Sequence, residues 1–70
     1  MKKFGEKLEL LRKKSGLTQR EVANFLEVNR THITKMESGE RMPSAAMITK
    51  IAHLFKVSFD QLMDDELELD

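Results

Sequence analysis

Cysteine, tryptophan and tyrosine are absent from this 70-residue chain, and proline occurs once. Without thiols there is no disulfide and no thiolate metal site, so nothing covalent staples the fold. A domain this small buries only about 60% of the surface its unfolded chain exposes, and its stability is correspondingly marginal unless it oligomerises. Long apolar runs are missing too. No stretch approaches the roughly 18 apolar residues of a membrane span. The opening MKKFGEKLELLRKKSG mixes charge with leucine and has no continuous apolar centre, which excludes a secretory signal. A soluble, cytoplasmic chain with no membrane partner is expected. Its length leaves room for one domain and none for a separate sensing or catalytic module. What remains is a compact helical core, for which 40% hydrophobic residues suffice.

Neither sign of charge dominates, since 12 basic residues cancel 12 acidic ones. The cancellation hides a partition. All 12 bases lie in residues 1–56 beside 6 acids, a local charge of +6, while residues 57–70 hold 6 acids and no base. The closing DDELELD reads as a solvated acidic end. The chain divides accordingly into a domain over residues 1–63 and an acidic tail over 64–70. Any polyanionic partner meets the basic part, and the neutral total weakens non-specific attraction.

Periodicity and caps lay out five helices. The first runs from about Lys2 to Lys14 with Phe4, Leu8 and Leu11 on one face, and stops at Ser15-Gly16. Thr18 and Glu21 form a capping box for the second, which carries Val22, Ala23 and Leu26 as its apolar stripe. Only Glu27 and Val28 precede Asn29, a good N-cap residue that opens a third helix over about 29–38. There Ile33 and Met36 mark the buried side. At about 100° per residue, Thr31, Thr34, Lys35 and Ser38 point the other way. Gly39 ends that helix, and Pro43 keeps the chain out of helix before Ser44 caps the fourth. Ile48, Ile51, Ala52 and Phe55 fall on one side of that helix, from Ala45 to Phe55. Ser58 with Gln61 starts a short fifth helix containing Leu62. The fold class is all-α, a compact five-helix bundle.

The stretch LTQREVANFLEVNRTHITKMESG, from Leu17 to Gly39, carries the functional signal. Two short helices joined by a tight turn, the second with an exposed hydrogen-bonding face, have the shape to enter a DNA major groove. The segment resembles the helix-turn-helix of the phage repressor and Cro family, also called the xenobiotic-response-element-like family. The matching residues are Gly16-Leu17-Thr18-Gln19, Glu21-Val22-Ala23, Val28-Asn29, Ile33 and Met36-Glu37-Ser38-Gly39. The pattern continues through Arg41-Met42-Pro43-Ser44, Ile51-Ala52 and Val57-Ser58-Phe59-Asp60-Gln61-Leu62, so it covers about Phe4 to Met63. The resemblance implies a lambda-repressor-like domain that binds double-stranded DNA as a transcriptional regulator, with the second and third helices as its helix-turn-helix. Two positions depart from the pattern, Glu27 and Lys56, where the family usually has glycine. A non-glycine residue at positive φ costs roughly 1–2 kcal/mol.

The resemblance also assigns contacts. Gln19, in the first turn of the second helix, maps onto a phosphate contact. Asn29, Arg30 and Thr31 map onto base contacts, with Thr34 and Lys35 one turn further on the groove side or its rim. Arg30 has the geometry for guanine O6 and N7, a pairing worth about 1–3 kcal/mol of discrimination, or for a phosphate alone. Lys35 suits a phosphate better than a base. Asn29 suits adenine, but capping competes for the same side-chain oxygen. Arg12 and Glu37 match an arginine and a glutamate that commonly pair in the family, a structural ion pair fixing the recognition helix.

Other chemistries find few residues to work with. His32 and His53 lie on different helices and lack ligand partners at metal spacing, so no metal and no cofactor is expected. The serines serve caps or loops and have no base beside them, which points away from an enzyme. Leu54, Val57, Phe59 and Met63 are candidates for a homodimer interface, and the same side chains could instead complete the monomer core. Two recognition helices about 34 Å apart would then meet a palindromic operator. The competing reading is an antitoxin or other module that binds a protein partner and represses its own operon. A DNA-binding domain excised from a longer regulator is the third.

Overall fold

Three of the five helices begin on side chains that the chain supplies locally. The structure is a computed structural model that describes residues 4–63. The helices are α1 (Phe4–Lys14), α2 (Gln19–Leu26), α3 (Arg30–Ser38), α4 (Ala45–Phe55) and α5 (Phe59–Met63). The all-α expectation holds. The expected start of the first helix at Lys2 and the acidic tail 64–70 lie outside the described residues.

Starts follow the cap residues. The Thr18 hydroxyl accepts from the Glu21 amide at 3.0 Å while the Glu21 carboxylate accepts from the Thr18 amide at 2.8 Å. Ser58 and Gln61 make the same reciprocal pair, at 2.9 and 3.0 Å. Ser44 caps α4 by accepting from the Met47 amide. Asn29 is the exception. Its backbone occupies the N-cap position of α3, but its side chain makes no capping bond. The oxygen expected to be spent on capping is therefore not spent there.

Ends share one geometry. After each of α1 to α4, a residue at positive φ turns the chain, and the next amide donates back to a carbonyl five residues earlier. The turning residues are Gly16, Glu27, Gly39 and Lys56, with φ of 74°, 61°, 89° and 58°. The back-bonds run from Leu17 to Arg12, Val28 to Ala23, Glu40 to Lys35 and Val57 to Ala52, all at 2.9–3.0 Å. This is a Schellman closure, in which the residue after the turn returns to the helix it leaves. Leu17, Val28 and Val57 do so as apolar side chains packed against the core.

That core draws on every helix: Phe4, Leu8 and Leu11; Val22, Ala23 and Leu26; Ile33 and Met36; Ile48 and Ile51; and Leu62. The third helix rests on α1 and α2, while α5 rests on α4 and α1. Two features of α1 go beyond its apolar stripe. A Cβ built on Gly5 would lie 2.5 Å from the Met36 carbonyl oxygen and 2.6 Å from that of Glu37. Only glycine lets α1 approach the end of α3 this closely. Lys7 is fully buried, and its Nζ donates to the backbone carbonyl of Gln61 in α5. Its stem fills the core and its charge is met by a helix-end carbonyl, where a cation is favoured.

Candidate nucleic-acid interface

The third helix presents two unlike sides. Ile33 and Met36 are fully buried, whereas Arg30, Thr31, Thr34, Lys35 and Ser38 are exposed. His32 is half-buried and sits at the flank. Asn29 is exposed at the mouth of the helix, with its side chain uncommitted to a cap. The face is thus polar throughout, with Arg30 at one end and Lys35 a turn and a half later. No acid lies on it until Glu37, which is turned inward.

Glu37 is the centre of a hydrogen-bonded chain that crosses three helices. Its Oε2 accepts from Arg12 Nε at 2.6 Å, and its Oε1 accepts from a second nitrogen of the same guanidinium at 3.2 Å. The pair is bidentate and nearly dry, with the two side chains 11% and 6% exposed. A third guanidinium nitrogen donates to the Leu17 carbonyl, in the turn after α1. The hydrogen bond to Glu37 raises the Arg12 pKa above its ordinary value; burial opposes the rise, and the charges of Glu37 and Glu9 add to it. A cation stabilised in the folded state contributes fully below its unfolded pKa, so Arg12 keeps its charge throughout the working range.

Gln19 joins the same carboxylate. As the first residue of α2 it donates from Nε2 to Glu37 Oε1 at 3.0 Å, and its own Oε1 accepts from the Thr34 hydroxyl at 2.9 Å. Thr34 also lies 3.2 Å from the Arg30 carbonyl one turn back. Arg12, Glu37, Gln19 and Thr34 therefore form one connected set, tying α1 and the start of α2 to the outer side of α3. The sequence alone offers Gln19 and Thr34 as separate candidates. Their spacing of 15 residues carries no local signal that they touch.

The remaining candidates lie elsewhere. Leu54, Val57 and Met63 are half-buried and pack against the core, while Phe59 is 44% exposed. Phe25, in the last turn of α2, is 63% exposed, which its place beside the apolar stripe does not announce. His53 is exposed on α4, on a different helix from His32. Among the described residues, no group of three histidine, aspartate or glutamate side chains is gathered for a metal. Among them, too, no helix is long and apolar enough to cross a membrane.

Comparison with known proteins agrees with this geometry. A family model described as Helix-turn-helix matches residues 8–62. An HTH-type transcriptional activator, BcrR of Enterococcus faecalis, is 41% identical over 63 residues, which are 90% of this chain and 31% of that protein. The chain likewise spans less than two thirds of the length of two Bacillus subtilis regulators it matches. The restriction-modification controller protein C.AhdI of Aeromonas hydrophila superposes with a TM-score of 0.78 at 30% identity, over 86% of this chain and 91% of that one. The P22 c2 repressor, solved with a synthetic operator, superposes with a TM-score of 0.87 over 94% of this chain and all of that one. At 21% identity that likeness speaks for the fold alone.

Proposed function

The chain belongs to the helix-turn-helix family of the phage repressor and Cro type, a family of DNA-binding transcriptional regulators and not of enzymes, and we propose that it reads a specific duplex sequence with α3 in the major groove. One observation carries this reading. A nine-residue helix turns Ile33 and Met36 into the core and leaves Arg30, Thr31, Thr34 and Lys35 open to solvent. Of these, Thr34 is tied to Gln19, while Arg30, Thr31 and Lys35 are left to a partner, and their donors and acceptors match base edges and phosphates.

Roles follow from chemistry and place. Arg30 and Thr31, in the first turn, reach deepest and read bases. Asn29 stands beside them with a free amide, suited to adenine. Lys35, further along, holds a phosphate. Gln19 meets the backbone from the start of α2, where the helix dipole also favours an anion. The regulator acts in the cytoplasm as a homodimer on a palindromic site, its two α3 helices about one helical turn of DNA apart. Phe59, with the edges of Leu54, Val57 and Met63, supplies the contact between subunits. Occupancy of the site is the mechanism.

Selection of bound duplexes from a random pool tests the reading. The unaltered chain should enrich one sequence with two related halves. The double variant Arg30→Ala, Thr31→Ala should still fold and still retain DNA, but with preference relaxed at adjacent positions of each half. Equal enrichment by both proteins would remove these two residues from base reading.

A further inference from the structure

We propose that Thr34 works in DNA binding as a positioning residue, acting through Gln19 rather than on the bases; this rests on the reading of α3 given above. The warrant is the direction of two hydrogen bonds. Thr34 Oγ1 has two acceptors within reach of its single proton, Gln19 Oε1 at 2.9 Å and the Arg30 carbonyl at 3.2 Å, and Gln19 is the nearer; Gln19 Nε2 donates to Glu37 Oε1. A hydroxyl has one proton to give, so while Thr34 holds Gln19 it donates nothing to a phosphate.

The arrangement also fixes which way the Gln19 amide faces. Turned over, the amide would set its carbonyl against the Glu37 carboxylate, acceptor against acceptor; the Thr34 hydroxyl could take either face, since it can give its proton to the Arg30 carbonyl, so the Glu37 end decides the orientation. Glu37 cannot yield to that orientation, because both its oxygens are already held by Arg12. Gln19 is thereby left with one N–H: Glu37 decides which way the amide faces, and Thr34 steadies its other end. Gln19 is half-buried and Thr34 exposed, so this N–H lies at the boundary where α2 begins and α3 meets solvent. A donor aimed before the ligand arrives loses less freedom on binding than one that must be ordered there. Thr34 is therefore the outer clamp of a phosphate donor, and Arg12 and Glu37 are its base.

This assignment makes consequences that a base-reading Thr34 would not. A neutral amide on a phosphate releases no counterion, so the salt dependence of binding should not change when it is lost. The loss should also be equal for every duplex, since phosphates carry no sequence information.

The test compares Thr34→Val, which keeps the shape and removes the hydroxyl, with Thr34→Ser, which keeps the hydroxyl. In the free protein, Thr34→Val should shift the Gln19 side-chain NH2 resonances, and Thr34→Ser should leave them near their original place. Against the selected duplex and a panel of single-base variants of it, Thr34→Val should weaken binding by a uniform factor of about three to ten, one hydrogen bond's worth, at unchanged salt slope. Thr34→Ser should restore it. In a Gln19→Ala background Thr34→Val should cost nothing further. A loss concentrated at one base position, or one that adds fully to Gln19→Ala, overturns the assignment. Unmoved Gln19 resonances in the free Thr34→Val protein overturn it as well, with no DNA present. An unaltered chain that retains no duplex defeats the underlying reading of α3, and the inference falls with it.

Discussion

Gly5 and Lys7 decide how α1 sits, and they do so for opposite reasons. Gly5 is required for what it lacks, because a methyl group there would press on two carbonyl oxygens of α3 at about 2.5 Å. Those atoms belong to backbone, which cannot swing aside. Gly5→Ala should therefore lower stability by about 2 kcal/mol, as overpacking does, even though alanine is the better helix former. Urea denaturation checks it, and an unchanged or raised midpoint would mean that α1 and α3 do not approach this closely. Lys7 matters for what its long side chain reaches. Phe4, Lys7, Leu8 and Leu11 share one face at helical spacing, so the wheel alone puts Lys7 inside. Its charge argues for solvent, and a partner such as the carbonyl of Gln61, 54 residues away, reverses that argument. The same limit applies to Gln19 and Thr34. Local periodicity places each on its own helix and is silent about a contact made across the turn.

Elements, by contrast, were largely legible, because their boundaries are written in neighbouring residues. Thr18 with Glu21, Ser44, and Ser58 with Gln61 each start a helix within three residues of where the hydrogen bond forms. The ends are equally local. Gly16 and Gly39 turn at positive φ without strain, and Glu27 and Lys56 make the same turn as ordinary L-residues. Their cost is about 1–2 kcal/mol each, held in place by the back-bonds of Val28 and Val57 and by the packing of those valines. Glu27→Gly and Lys56→Gly should each stabilise the chain by roughly 0.5–1 kcal/mol, the relief of strain less the entropy that glycine adds to the unfolded state. The two sites end different helices, so their effects should add. Thermal unfolding of the single and double variants reads this directly. A fall in melting temperature for either would mean that its side chain makes a contact worth more than the strain.

At the scale of the whole molecule, the proposed homodimer ties both stability and binding to association. Phe59 is the exposed member of the candidate subunit interface, whereas Leu54, Val57 and Met63 already pack against the core. Phe59→Glu should leave the helical content unchanged and shift the chain toward monomer in sedimentation equilibrium. Operator affinity should fall with it, since each half-site then binds alone. Dimerisation unaffected by Phe59→Glu would move the interface to another surface. The charge partition bears on the same question. The structure describes helices that carry most of the basic residues, and among them Arg30 and Lys35 stand on the polar face of α3.

The most direct measurement follows the backbone amide resonances during titration with the duplex recovered by selection. The account predicts that the largest shifts fall on residues 29–35 and on Gln19, with the buried face of α4 nearly still. Shifts confined to α4 and α5, or none anywhere at saturating duplex, would contradict it.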